Sequence, residues 1–251
     1  MAAPEKPLVY LILGAAGSGR REVVADLIEA GMGEGETSAI LLAQSEAIDP
    51  ADGRLPRVDR WEWRDGFIVG TLPSEVTRVF FLTDGHENPV EQIEVFKAWL
   101  EAQGGELGRV LTVVNCQRAE RHPPLLAWYE ACVHFSDIVL LNKRDGVANK
   151  WMSDFQGHFK KQFVPCLFEL IKDGKVKNPA LVLEPQARRL SHFLDAEQDW
   201  VFTDVEGEVI DEDDETEGEQ EVTAAEEVDP YFERDAACRR VKRLPEIAKY
   251  L

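Results

Sequence analysis

Short apolar runs alternate along the chain with stretches of helical spacing. Six runs of leucine and branched side chains are bounded by turn residues and predict buried strands at residues 8–13, 38–42, 76–82, 109–114, 137–141 and 180–183. Apolar side chains recur at helical intervals in residues 21–29, 90–103 and 124–133, and residues 150–168 form a further helical region interrupted by Pro165. Strands that alternate with helices build parallel sheets. We therefore predict an α/β fold, a mostly parallel sheet with helices on both faces.

The stretch from residue 58 to residue 72 has a different pattern. Trp61 and Trp63 alternate with charged residues, the dipeptide Asp65-Gly66 is typical of a tight turn, and an apolar run follows at residues 67–69. This arrangement predicts a β-hairpin inserted into the parallel sheet. The two tryptophans fall on one face of the first strand, where we expect them to cover the core rather than to bind a ligand.

The net charge of −19 is distributed unevenly. Residues 204–229 contain many acids and no Lys or Arg, so most of the excess charge lies there. Such a segment has too few apolar side chains to offset the entropy of ordering, and we predict a disordered linker. Binding to nucleic acid requires an excess of positive charge, so we expect no nucleic-acid partner.

The linker divides the chain into three parts. We predict a nucleotide-binding domain at residues 1–203, the acidic linker at 204–229 and a short amphipathic tail at 230–251. The tail has apolar residues at helical intervals with basic residues among them. Two alternatives remain open for it: docking on a protein partner, or packing back on its own domain.

The remaining composition indicates a cytoplasmic protein. The four cysteines form no CxxC pair, and three of them are expected to be buried thiols or to end a strand. No apolar run has the features of a signal peptide or the length of a membrane span. We expect neither a membrane anchor nor disulfide bonds.

The strongest chemical motif follows the first predicted strand. Residues 14–21 have the sequence GAAGSGRR and lead into a predicted helix, which is the setting of a phosphate-binding loop. Glycines at such a loop allow backbone N–H groups to converge on phosphate oxygens at a helix N-terminus. The residues predicted to hold phosphates are Gly14, Gly17, Ser18, Gly19, Arg20 and Arg21.

This loop departs from the full GxxxxGK[ST] pattern at its last two positions. Arg20 stands where a lysine would reach the outer phosphates, and Arg21 stands where a hydroxyl would bind Mg²⁺. Arginine keeps the charge but is planar and bulkier than lysine, and it does not ligate magnesium. Ser18 lies three residues too early to replace that hydroxyl. Mg²⁺ is thus a possible cofactor whose usual ligands are missing.

A second motif follows the predicted strand at residues 137–141. Asn142, Lys143 and Asp145 have the residue types and spacing that recognise guanine. A carboxylate at the last position accepts hydrogen bonds from guanine N1–H and the 2-amino group, which adenine does not offer. A polar strand end followed by a turn is the simpler interpretation of these residues alone. Together the two motifs predict a GTP- or GDP-binding domain similar to P-loop NTPases, with the ligand beyond the carboxyl ends of the strands.

Beyond these motifs, the sequence resembles the nucleotide-binding domain of the CobW-type metal-chaperone GTPases, relatives of the hydrogenase- and urease-maturation GTPases. Residues 65–72 (DGFIVGTL) resemble the family segment NGCICCTL, and residues 82–89 (LTDGHENP) resemble ETSGLADP. Residues 111–115 and 178–180 resemble later strand segments. The resemblance covers roughly residues 8–195, and we expect the acidic linker and tail to replace the family's C-terminal domain.

The departures from this family concern its chemistry. Its metal-binding thiols correspond to Phe67, Val69 and Gly70, and its acid near the outer phosphate corresponds to Leu82. Asp84 is a weak candidate for a catalytic role. Asp49 and Asp52 are candidates for a switch region, although a solvated loop is the simpler interpretation. The five histidines form no HxH or HxxxH pair, and we predict no metal site.

Three functions are compatible with these observations. The leading hypothesis is a divergent CobW-like guanine-nucleotide-binding protein with weak or absent hydrolysis, acting as an accessory or regulatory protein whose nucleotide state selects a partner through the tail. The second is an active GTPase with rewired Mg²⁺ ligation through Asp84 or a switch-region acid. The third is a pseudo-GTPase scaffold that binds no nucleotide.

Overall fold

The computed structural model describes residues 6–195 and 228–251. Its strands are β1 (Leu8–Leu13), β2 (Ser38–Ala43), β3 (Val58–Arg64), β4 (Phe67–Val69), β5 (Arg78–Leu82), β6 (Glu106–Asn115), β7 (Ile138–Asn142) and β8 (Leu167–Leu170). Its helices are α1 (Arg20–Gly31), α2 (Pro89–Ala102), α3 (Cys116–Arg121), α4 (Leu125–His134), α5 (Asn149–Lys161) and α6 (Pro179–Leu183), with 3₁₀ helices at Pro50–Arg54 and Ile247–Tyr250.

The described strands form one eight-stranded sheet in the order β4-β3-β2-β5-β1-β6-β7-β8. Every neighbouring pair is parallel except β3 and β4, which are antiparallel. The predicted fold class, a P-loop NTPase-like α/β fold with a mostly parallel sheet and an inserted hairpin, is confirmed. β1 lies between β5 and β6, so the chain crosses from one side of β1 to the other between these two consecutive strands.

Apolar side chains cover both faces of the sheet and form two cores. Val23, Val24 and Leu27 of α1 pack with Val182 and Leu183 of α6 on one face. The other face carries a larger cluster that is built from α2, α4 and α5 and includes several stacked or tilted aromatic rings. Because strands in the middle of the sheet are covered on both faces, β1, β2 and β7 contain uninterrupted apolar runs rather than alternating apolar and polar residues.

The predicted hairpin is present between β3 and β4. Its turn residues, Asp65 and Gly66, have φ angles of 51° and 81°, as two-residue turns matched to strand twist require. Trp61 is 1% exposed, and its indole N–H donates to the carbonyl of Leu82 at 2.9 Å. The prediction that Trp61 covers the core is confirmed, and Trp63 packs against the same cluster.

Two predicted elements are wrong. Residues 180–183 form helix α6 instead of a strand, because Pro179 opens a helical turn whose carbonyls at Leu181 and Val182 accept from the buried Arg109 guanidinium. Residues 150–168 are not one helical region: α5 ends at Lys161, and the residues beyond Pro165 pair with β7 as the edge strand β8. Residues of this edge strand are only partly buried, so the apolar pattern of a strand is weak there.

The C-terminal residues 228–251 pack on the domain. The Asp229 carboxylate accepts from His134 Nε2 at 2.8 Å and from the Ser191 hydroxyl. Tyr231 is 7% exposed and lies against the rings of His134 and Phe135. Of the two alternatives for the tail, the described residues adopt the packed one, and partner binding through the tail stays a prediction.

The predicted acidic linker, except for residues 228 and 229, lies outside the described residues, so its boundaries remain a prediction. Within residues 6–195 and 228–251, no helix combines the length and the apolar character needed to cross a membrane.

We expect Tyr231→Ala to lower the free energy of unfolding by about 3 kcal/mol, because the variant removes a large buried ring from the contact between tail and domain. Urea unfolding followed by circular dichroism measures this loss. Val241→Ala, at a tail position that is 52% exposed, is the matched control and should be close to neutral. Equal stability of Tyr231→Ala and the unchanged protein would show that the tail does not stabilise the domain.

Candidate functional site

The candidate site lies at the carboxyl ends of the central strands. β1, β5, β6 and β7 end side by side there, and the loops that follow them contact one another. Asn115, the last residue of β6, is in register with Asn142, the last residue of β7. Open α/β sheets bind ligands at this edge, next to the strand where the order of connections reverses. The two motifs predicted from the sequence both fall on this edge.

Residues 14–19 form a tight loop between β1 and the N-terminus of α1. Gly14 and Gly19 have φ angles of 141° and 89°, which side-chain-bearing residues rarely adopt. A Cβ on Gly14 would lie 2.6 Å from the carbonyl oxygen of Val113, and one on Gly19 would lie 2.3 Å from Asn142 Nδ2. Both glycines are therefore required by space as well as by conformation.

The second half of this loop offers unused hydrogen-bond donors. Within the described part of the chain, the backbone N–H groups of Gly17, Gly19, Arg20 and Arg21 donate to no acceptor. Ser18 is fully buried, and its hydroxyl also lacks a partner there. That hydroxyl lies 3.0 Å from the position of a Cβ on Gly14, so it is inside the loop. Buried polar groups are normally paired, and this set of donors fits an anion at the N-terminus of a twelve-residue helix.

The structure brings the second motif against the first. Asn142 Nδ2 donates to the carbonyl of Ser18 at 2.9 Å. The Lys143 stem lies over the loop, because its Cε would be 3.4 Å from a Cβ on Gly19. The Asp145 residue is exposed, and its carbonyl accepts from Gln117 Nε2 at 2.6 Å.

Arg20 and Arg21 are directed away from the open part of the loop. The buried Arg20 guanidinium donates to the carbonyl of Thr83 and to Oε1 of Glu46. Arg21 donates to Glu46 Oε2 at 2.8 Å and to both oxygens of Asp52 at 3.0 and 3.1 Å. Asp52 is therefore an ion-pair partner of Arg21, and the simpler interpretation as a solvated loop is wrong for it. Neither arginine has a free guanidinium for a phosphate in this arrangement.

Glu46 is the site residue that the sequence does not reveal. It lies in the loop after β2, and its side chain is 7% exposed. Burial raises the pKa of its carboxyl, but the opposing effects of Arg20, Arg21 and the Gly85 N–H prevail and hold the pKa below its ordinary value. Glu46 belongs to no motif, and its partners lie more than twenty residues away along the chain, so no local signal marks it.

Asp84, the weak catalytic candidate, is held by neighbours of its own. Its carboxylate accepts from the hydroxyl of Ser45 and from the backbone N–H and ring nitrogen of His86, at 2.9 and 3.0 Å for the latter two. Burial raises the pKa of this carboxyl, but those hydrogen bonds prevail and lower it. Asp84 thus fixes the turn that contains Gly85. Asp49 caps the 3₁₀ helix Pro50–Arg54 through the backbone N–H of Ala51.

Arg118 is a second functional candidate that sequence reasoning missed. It lies on α3, and its guanidinium donates to the carbonyl of Ala16. Its Nη2 would lie 3.3 Å from a Cβ on Gly17, so the charge is beside the open half of the loop. Arg118 also borders a cleft of 260 Å³ that reaches the C-terminus, lined by Asn115, Gln117, Arg118, Arg121, His122, Tyr250 and Leu251.

The side chains at the position where a P-loop protein holds Mg²⁺ are not suitable metal ligands. Arg21 replaces the hydroxyl, and the nearby carboxylates of Glu46 and Asp52 are bonded to guanidinium groups. Magnesium requires oxygen ligands around it, and a cationic side chain at its position excludes it. Among the residues that the structure describes, no three His, Cys, Asp or Glu side chains are grouped to hold a metal ion.

No family model matches the sequence, and no curated protein matches it. Solved structures give distant similarities, among them two structures of the YjiA GTPase. The Zn(II)-bound YjiA GTPase from E. coli is 15% identical with a TM-score of 0.42, and a Zn(II)-bound triple mutant of YjiA GTPase is 14% identical with a TM-score of 0.44. Each alignment covers 73% of this chain and 67% of the other. The candidate site is assigned from the contacts of its own residues.

The charge network at Glu46 predicts a loss of stability in acid. Because the pKa of Glu46 is lower in the folded protein than its ordinary 4.5, the unfolded chain takes up the proton first as the pH falls. The stabilisation is complete above about pH 4.5 and is lost as the pH falls through the folded-state pKa. Urea unfolding between pH 3 and pH 6 should therefore show a smaller pH dependence for Glu46→Gln than for the unchanged protein. The same pH dependence in both would contradict this assignment.

Proposed function

We propose that this protein binds a guanine nucleotide at the carboxyl edge of its sheet. The observation that carries this proposal is the hydrogen bond from Asn142 to the carbonyl of Ser18. It joins the motif predicted to bind guanine to the loop predicted to bind phosphate, across 124 residues of sequence. A simple turn after a strand would not need to contact the phosphate loop. Two motifs that bind opposite ends of one ligand, in contrast, must lie close together.

In this proposal the loop holds the phosphates of GTP or GDP. The unpaired N–H groups of residues 17 and 19–21 and the buried Ser18 hydroxyl supply hydrogen bonds, and Lys143 and Arg118 supply nearby positive charge. A nucleotide would thereby satisfy donors that are otherwise unpaired within the described residues.

The base would be recognised by Asp145. Its carboxylate accepts no hydrogen bond from the described residues, and it follows Lys143, whose stem lies along the loop. Guanine presents two adjacent N–H donors to such a carboxylate, whereas adenine leaves it unpaired, so the site favours guanine. Asn142 holds the motif in place rather than touching the base.

We further propose that hydrolysis is weak or absent. The site has no hydroxyl for Mg²⁺ at position 21, Leu82 stands where the related family has an acid, and both loop arginines are bonded to carboxylates. Phosphoryl transfer depends on such charges to stabilise the transition state. A protein of this kind acts through the conformation that its bound nucleotide favours, as an accessory or regulatory protein.

Asp145→Ala should abolish selective binding of guanine nucleotides. We expect calorimetry to detect GDP binding to the unchanged protein. The affinity of the variant for GDP should be lower by about 100-fold or more, since the two N–H donors of guanine lose their acceptor. Asp154→Ala, which removes the same charge from the exposed face of α5, is the matched control and should bind normally. ATP bound as tightly as guanine nucleotides, or unchanged binding by Asp145→Ala, would refute the assignment of the base site.

Phosphate release from GTP should be indistinguishable from that of GTP without protein, with or without Mg²⁺. The reason is that the charges needed for transfer are paired within the protein. A malachite-green assay at saturating protein measures this directly. Magnesium-dependent turnover that Asp84→Asn abolishes would instead establish the active GTPase with rewired ligation.

A further inference from the structure

Glu46 places a carboxylate at one end of the phosphate loop. Its Oε1 accepts from the Arg20 guanidinium and, at 3.2 Å, from the backbone N–H of Gly85, while its Oε2 accepts from Arg21 at 2.8 Å. Two guanidinium groups and one backbone N–H therefore converge on one buried anion. This is the set of donors that a terminal phosphate group would be given.

The same end of the loop is closed by backbone contacts. The N–H of Ala16 donates to the carbonyl of Gly85 at 3.0 Å. A Cβ on Gly85 would lie 2.3 Å from the nitrogen of Ala16 and 2.5 Å from Arg20 Nη2, so no space remains between the two segments. The contact with Gly85 engages the N–H of Ala16, whereas the N–H groups of Gly17 and residues 19–21 donate to no acceptor within the described residues. The loop is thus divided into an open half and a filled half.

In a phosphate-binding loop, the two halves contact different phosphates of the nucleotide. The residue after the last glycine reaches the outer phosphates, while the loop N–H groups hold the inner ones. Here that residue is Arg20, and it reaches Glu46. We infer that the Glu46 carboxylate occupies the place of the third phosphate, so that the site accepts guanosine diphosphate and excludes the triphosphate until Glu46 moves. This inference rests on the proposed function and specifies its ligand.

The ion pairs around Glu46 also affect the expected role of magnesium. Arg20 and Arg21 are balanced by Glu46 and Asp52, so these four side chains together carry no net charge. Arg21 bonds both carboxylates from the position of the missing hydroxyl and thereby takes the place of the metal. A diphosphate in the open half would be neutralised by Arg118 and Lys143 instead. Its binding should consequently be independent of Mg²⁺.

The unchanged protein provides the first test. Calorimetric titrations with GDP and GTP, each in buffer with EDTA and in buffer with magnesium chloride, should show GDP binding at least about 10-fold more tightly than GTP. Magnesium should change the affinity for GDP by less than about 3-fold. Equal or tighter binding of GTP, or strong enhancement of GDP binding by magnesium, would overturn the inference while leaving guanine-nucleotide binding established. Binding of neither nucleotide would refute the proposed function together with the inference.

Glu46→Gln tests the role of the carboxylate. Removing its charge should raise the affinity for GTP by about 10-fold or more and leave that for GDP within about 3-fold. Glu36→Gln is the matched control, because Glu36 pairs with Arg78 at the opposite edge of the sheet, and both affinities should stay unchanged. Weaker GTP binding by Glu46→Gln would overturn the inference. Circular dichroism verifies folding, and if the variant does not fold, the titrations of the unchanged protein decide.

Discussion

Two buried arginines pair with the buried Glu46 and the partly buried Asp52 beside the loop that follows the first strand, and the candidate site depends on this pairing. Removing charges from water is costly, so each of these groups is tolerated only because a partner of opposite charge bonds to it. Arg20 and Arg21 begin α1, Glu46 follows β2, and Asp52 lies in the 3₁₀ helix Pro50–Arg54. The pairing therefore joins three segments and determines which part of the loop remains open.

This constraint separates two properties that a phosphate loop usually combines. The backbone of the loop keeps the glycines, the unpaired N–H groups and the contact with Asn142 that a nucleotide site needs. Its side-chain charges, in contrast, are satisfied within the protein. We therefore expect nucleotide binding without efficient hydrolysis. The backbone favours a bound nucleotide, whereas the paired side-chain charges are not available to stabilise a transition state.

The parts that could be predicted from the sequence have local causes. The glycines at residues 14–19 follow from backbone conformation and close approach, and the turn at Asp65-Gly66 follows from positive φ angles. The parallel sheet follows from apolar runs that must be covered on both faces. In each case the residues that show the pattern are also the residues that experience the constraint.

The parts that could not be predicted depend on distant partners. Nothing near Glu46 or Arg118 in sequence marks them as site residues, because their contacts come from other loops. The run at residues 180–183 has the composition of a strand, but Pro179 and the buried guanidinium of Arg109 favour a helical turn. The edge strand β8 is half buried, so its apolar signal is weak and the preceding helix obscures it.

The most direct measurement is hydrogen–deuterium exchange of the unchanged protein with and without GDP in magnesium-free buffer. The account predicts slower exchange in residues 17 and 19–21, whose amide groups would donate to phosphate, and in residues 142–146, together with unchanged exchange in residues 44–52 around Glu46. Unaltered exchange in both motifs at saturating GDP would contradict the claim that these two segments form one nucleotide site.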